Sequence, residues 1–225
     1  MPDEARSGAG YLDRQGGRCR GSLHHPPRDR RASERDHDLV FDVDAFIDRC
    51  KACLDETEPR RAIREELDRA LDRPAEIADR LPPEEAGLDL LYRSADLTVL
   101  KVVWAPQMRL YAHDHRMWAA IGIYTGREDN EFFRRRPDGD GGLVESGGKR
   151  LDERDIVLLG DDVIHAVANP ARTYTGAIHI YGGDFVAQAR SQWVPPALLE
   201  EPYDMTLVRQ EFDRAERAWR DSSTA

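Results

Sequence analysis

Cysteine is nearly missing from this chain: Cys19, Cys50 and Cys53 are all it has. An odd, sparse set cannot build a disulfide framework, which excludes the small cross-linked secreted scaffolds and fits a reducing, cytoplasmic setting. Lysine is as rare, with Lys51, Lys101 and Lys149 among 33 basic residues. That bias is read as coding preference and given no functional weight. Basic residues as a whole are outnumbered by 43 acidic ones, for a net charge of −10. A general nucleic-acid or acidic-membrane binder would present a basic face, so neither partner is expected and small molecules are. No apolar run approaches the length needed to span a bilayer, and charge from Asp3 onward does not read as a secretory signal.

At 225 residues the chain suits one substantial domain with additions. Residues 1–38 mix Arg, Asp, Gly, Pro and Ser with almost no large apolar side chains, and are expected to be a disordered tail. His24 and His25, beside Pro26 and Pro27, are read there as solvated filler. From Asp42, a helix cap, the pattern turns helical: Phe46, Ile47, Cys50, Cys53 and Leu54 share a face. A second helix carries Ile63, Leu67, Ala70 and Leu71 up to Pro74, and Ile77 with Leu81 makes a third short turn. Cys50-Lys-Ala-Cys53 has redox or zinc spacing, but it lacks a second pair and a preceding strand, so both sulfurs are read as small core side chains.

Between Leu88 and Phe185 short β-rich runs follow one another: 97–104, 118–124, 156–159, 164–167 and 176–181. Gly126, the 137–142 stretch, Gly147-Gly148 and Asn169-Pro170 are read as the punctuation between them. Strands this short and regular predict a barrel or sandwich. A last helix puts Val208, Phe212, Ala215 and Trp219 on one face, against the barrel.

Within the β region, His113 and His115 stand two residues apart, which in a strand turns both imidazoles to one face. Two ring nitrogens so placed can reach one metal. His165, fifty residues later in a separate short strand, can lie opposite them in a closed barrel. Glu128, beyond the turn at Gly126, is expected at the surface, and Trp118 walls either the pocket or the core.

These residues resemble the cupin superfamily, whose first motif runs His-x-His, three or four residues, Glu, six residues, Gly, and whose second runs His, three residues, Asn. Here His113-x-His115 is followed by Ala119 in the Glu position and by Gly126, and later by His165-Ala-Val-Ala-Asn169. The chain departs from the pattern at Ala119, at Gln107 where a Gly is usual, and before His165, where Gly160 and Asp162 occur without the usual Pro or Gly. A cupin subset that lacks the glutamate is the cysteine dioxygenase-like thiol dioxygenases, which bind ferrous iron by three histidines. Residues 97–104 resemble that family's strand leading into His-x-His, and Ala177-Ile-His179-Ile-Tyr181 resembles its Ser-x-His-x-Tyr. The run from His113 to Asn130 is similar to a bacterial branch described only as predicted metal-dependent double-stranded β-helix proteins. The likeness covers about Tyr92 to Phe185, leaving out the flanking helices.

The resemblance implies an all-β, double-stranded β-helix barrel with N- and C-terminal helical additions: tail 1–38, helical extension 39–85 packed on the barrel, barrel 86–190, and a C-terminal segment 191–225 with a helix. It implies iron(II) on His113, His115 and His165, with zinc, nickel or manganese as alternatives. The reaction implied is oxidation of a small thiol, one that could carry a carboxylate, to a sulfinate by dioxygen. Tyr181 and His179 would steer protons, with Ala177 leaving the family's three-member relay short. Arg93 falls where the family's carboxylate-binding Arg occurs, and Arg116 is the reserve. Two other readings stand beside this one: a non-catalytic cupin acting as sensor or store, and a cupin metalloenzyme of another reaction class. Substrate identity and oligomeric state are left open.

Overall fold

The structure is a computed structural model that describes residues 40–137 and 139–223; the expected tail, with Cys19, His24 and His25, lies outside them. Three helices come first: α1 (Val43–Cys53), α2 (Pro59–Leu71) and α3 (Pro74–Arg80). The Asp42 side chain accepts from the Ala45 amide at 3.0 Å and so satisfies one of the free donors at the start of α1. Proline opens α2 and α3, where its missing N–H costs nothing. Phe46, Cys50, Ile63, Leu67, Leu71 and Ile77 are buried together. Cys50 and Cys53 are free, and burial pushes both thiols up, as expected of core sulfurs.

Eleven strands follow: β1 (Gly87–Arg93), β2 (Thr98–Trp104), β3 (Arg109–Asp114), β4 (Ala119–Thr125), β5 (Arg127–Arg135), β6 (Leu143–Asp152), β7 (Ile156–Leu159), β8 (Ile164–Ala168), β9 (Thr175–Tyr181), β10 (Ser191–Trp193) and β11 (Glu200–Pro202). They form two antiparallel sheets, ordered β1-β2-β9-β4-β7 and β11-β10-β3-β8-β5-β6. The inner order β2-β9-β4-β7 facing β3-β8-β5-β6 is the double Greek key of a jelly roll. The fold is therefore the double-stranded β-helix of the cupin type, with helices before and after it.

The first sheet is buried on both faces, and its strands show how. Along β9, Ala177 and Tyr181 belong to the cluster inside the barrel, while Ile178 and Ile180 pack with the residues of α1, α2 and α3. β4 divides the same way, Ala119, Ile121 and Ile123 inward, Ala120 and Tyr124 outward. Trp118 joins the helix side of the sheet and lines no part of the inner cavity, which settles its place as core. A final helix, α4 (Met205–Ser223), sends Val208 and Phe212 into the barrel, with the Phe212 ring stacked on Trp104 at 5.1 Å.

Gly147 and Gly148, expected to break the chain, lie inside β6 opposite Phe132 and Glu131. The register slips there, between Phe132 and Phe133, and Gly147 adopts φ +135, a conformation open to glycine. The pair makes a β-bulge instead of a loop.

Candidate metal centre

His113 and His165 face each other directly across the β3–β8 pair, and His115 follows one residue beyond the end of β3. Their ring centroids stand 4.7 Å (His113–His165), 5.0 Å (His115–His165) and 5.2 Å (His113–His115) apart. One ligand nitrogen from each falls within 4.8 Å of the others, the spacing of three donors around one ion. All three are buried. His113 Nδ1 lies 3.0 Å from the Tyr111 carbonyl and His165 Nδ1 lies 2.6 Å from Asn130 Oδ1; both outer nitrogens therefore carry the hydrogen and leave Nε2 lone pairs for a metal. Burial is the largest reason that the imidazolium forms are disfavoured. His113 is lowered to about 4 and His115 and His165 well below the usual range, with the Arg190 charge acting the same way on the first two. Neutral imidazole is the state that binds metal.

The residues that hold β3 in place are equally specific. Asp114, between the two histidines, is fully buried, accepts from the Ser191 amide at 2.8 Å and Arg135 Nη2 at 2.8 Å, and forms an ion pair with Arg116, Nε standing 2.7 Å away. Glu200 of β11 accepts from Arg135 Nε and Nη2, both at 2.8 Å, and from Ser191 Oγ at 2.7 Å. Arg116, considered for substrate, is thereby committed to Asp114 and Glu200 and does not line the cavity. Arg93, the first choice, forks onto Asp184 at 2.8 and 2.9 Å on the surface and does not line it either. In both cases a carboxylate close by takes up the guanidinium.

The Arg135 hydrogen bonds hold the Glu200 carboxyl at about 2, below its ordinary 4.5. Its folded value is depressed, so its contribution is complete above about 4.5 and lost as pH falls toward 2. Glu200→Gln should cost roughly 1 kcal/mol at neutral pH, after allowance for solvent screening. Urea unfolding of both proteins at pH 7 and pH 3 checks this: the gap narrows at pH 3. A gap that is equal at both pH values would reject the linkage.

Behind the histidines stands a second layer that the sequence reading placed only in part. Tyr181 Oη lies 3.0 Å from His179 Nδ1, and the phenol ring meets His115 edge-on at 5.0 Å. Burial raises the Tyr181 phenol, so the hydroxyl keeps its proton. Glu128, expected at the surface, is completely buried. It follows Gly126 in β5, where period-two alternation turns Glu128 and Asn130 inward together. Arg190 carries no motif and was not anticipated. It is 8% exposed, with its guanidinium over the rings of Phe185 (4.0 Å) and Tyr203 (3.9 Å); those two rings line the cavity with the histidines, and Arg190 itself stands behind them. Nη1 donates to the Phe185 and Gln188 carbonyls, while Nε and Nη2 are buried without a hydrogen-bond partner. The cavity has a volume of about 20 Å³, room for about one water molecule.

The sequence matches no protein-family model. Among solved structures the chain is similar to an RmlC-like cupin family protein with a double-stranded β-helix fold from Methanocaldococcus jannaschii, at 10% identity over 44% of this chain and 82% of that one, TM-score 0.37. It is similar to a cupin superfamily protein from Desulfitobacterium hafniense at 14% identity over 45% and 80%, TM-score 0.36. A cupin domain from Bordetella pertussis gives 19% identity over 43% and 92%, TM-score 0.33. The fold assignment itself stands on the strand order. Three buried neutral imidazoles around one point fit a divalent metal, which His113, His115 and His165 could hold.

Proposed function

We propose that this chain is a mononuclear non-haem iron dioxygenase of the cysteine dioxygenase-like type, oxidising a small, carboxylate-bearing thiol to its sulfinate. The observation that carries the reading is a pairing: a three-histidine cluster with no carboxylate in it, beside a buried guanidinium with two unused donors. Bound ferrous iron would supply a divalent centre with open positions where thiol sulfur and dioxygen react. The overall change is balanced as thiol plus dioxygen giving sulfinate plus a proton: the S–H and O–O bonds break, two S–O bonds form, sulfur is oxidised and dioxygen reduced.

The chain's own groups have separate tasks. Arg190 would take the carboxylate, since Nε and Nη2 lie side by side and suit two parallel hydrogen bonds. Phe185 and Tyr203 hold that guanidinium flat. Tyr181, backed by His179, keeps a proton at the phenol oxygen next to His115. Val208 and Phe212 of α4 and Leu110 and Val167 of the barrel wall the cavity, which has to widen beyond its one-water volume for a thiol to enter. Dioxygen and a small thiol are the proposed partners.

The test is oxygen uptake by iron-loaded protein across small thiols with and without a carboxylate, with sulfinate measured alongside. One sulfinate per dioxygen, fastest with carboxylate-bearing thiols, is expected. No uptake from any thiol by protein shown to hold its iron would reject the proposal.

A further inference from the structure

We infer that Glu128 is a positioning residue that fixes the tautomers of two imidazoles at once, that of His165 through Asn130 and that of His179 directly. The first arm rests on the reading of His165 as a metal ligand.

Glu128 Oε2 accepts from Trp104 Nε1 at 2.8 Å, and Oε1 accepts from Asn130 Nδ2 at 2.9 Å. With Oε1 accepting the Asn130 amide hydrogen, the amide nitrogen is held toward Glu128 and Oδ1 is turned away. That oxygen meets His165 Nδ1 at 2.6 Å, which then carries the hydrogen. His165 Nε2, 3.3 Å from His115 Nε2, is left as the lone pair facing the cluster. A carboxylate two groups removed thus decides which nitrogen of His165 can ligate.

The second arm closes on Tyr181. His179 Nε2 lies 3.7 Å from Glu128 Oε2 and has no hydrogen-bond partner. The separation exceeds a hydrogen bond, yet in a buried site an acceptor-only carboxylate is the group toward which an N–H is oriented. With the hydrogen on Nε2, His179 Nδ1 becomes the acceptor, and Tyr181 donates to it across 3.0 Å. The phenol hydrogen is then committed to His179, and only lone pairs of the phenol oxygen are left for the cavity that Tyr181 lines. Ala177 leaves no hydroxyl to orient His179 from its own strand; Glu128 does so from β5, in the opposite sheet.

Glu128→Gln replaces an acceptor by a group that donates on one side. A glutamine has one nitrogen, and the Trp104 N–H keeps its oxygen on the Oε2 side, so the nitrogen faces Asn130, reverses that amide and places a hydrogen on His165 Nε2. Asn130→Ala cuts the first arm alone. Cobalt(II) titration, read by visible absorption, would follow the ligand set, and imidazole ¹H–¹⁵N correlation spectra of the metal-free protein would follow the tautomers. Both variants should bind cobalt on the order of 10- to 100-fold more weakly, the usual effect of breaking a partner behind a ligand. Glu128→Leu, which removes the acceptor from both arms, should in addition release His179 from the Nε2–H form, whereas Glu128→Gln, with its oxygen kept on that side, should not. Cobalt binding by Glu128→Gln within twofold of the unsubstituted protein would overturn the inference. Weakened binding in Glu128→Leu with His179 still held as Nε2–H would overturn it too, because damaged packing alone gives that result. Unsubstituted protein that takes up no cobalt would overturn the metal reading itself, and the first arm with it.

Discussion

His113→Ala is expected to abolish thiol-dependent oxygen uptake and to cut iron affinity by at least 100-fold. The variant removes one of three imidazoles whose donor nitrogens gather within 4.8 Å, and no other His, Cys, Asp or Glu among the described residues completes that group. Glu128 cannot substitute, because Trp104 and Asn130 occupy its two oxygens. Stability should change little, by about 1 kcal/mol, because the side chain is a buried polar group with one hydrogen bond to the Tyr111 carbonyl and its loss also removes an unfavourable cluster of imidazoles. Iron content by elemental analysis, oxygen uptake and thermal unfolding, measured on the same preparation, separate the cases. Unchanged uptake would dismiss a mechanism centred on the three histidines. Lost uptake accompanied by a collapse in melting temperature would show a failure of folding instead.

The parts of the molecule that could be read from sequence are those in which apolar periodicity is strong. The helices around Phe46 and Leu67 bury side chains on a regular repeat, and strands β2, β4 and β9, buried on both faces, read as nearly continuous apolar runs; both patterns are written in the chain. β6 left no such trace: seven of its ten residues are exposed, and its paired glycines mimic a turn while forming a bulge. β5 is polar apart from Phe132 and Phe133, since it buries Glu128 and Asn130 by hydrogen bonding them and not by hydrophobicity. The histidines were legible because spacing and strand geometry coincide. The guanidinium proposed to bind the anion was not, because what distinguishes Arg190 from Arg93 is the absence of a neighbouring carboxylate, a property of the folded chain. Arg93 has Asp184 beside it only after the loop following β9 returns to β1. Arg190 is isolated between two aromatic rings by the approach of Tyr203, thirteen residues later, with Tyr203 N donating to the Arg190 carbonyl at 2.9 Å.

Arg190→Met should therefore do something that no change at Arg93 would. A guanidinium held out of water with two free donors is costly until an anion arrives, so a carboxylate ligand recovers most of what its burial lost. Removing such a pairing is worth about 3 kcal/mol, on the order of a 100-fold drop in kcat/KM for carboxylate-bearing thiols. Methionine keeps much of the volume between Phe185 and Tyr203, so a neutral aminothiol should lose no more than a few fold. Arg190→Lys keeps the charge but not the planar fork, and should fall between the two. The informative quantity is the ratio of the losses for paired thiols that differ only in the carboxylate. An equal loss for both would mean that Arg190 serves to tie the Phe185 and Gln188 carbonyls together, and the anion would then have to be bound elsewhere. A loss confined to the carboxylate-bearing member would show that the guanidinium meets the substrate, and that the fold keeps one buried cation for it while Arg93 and Arg116 pair with carboxylates of their own.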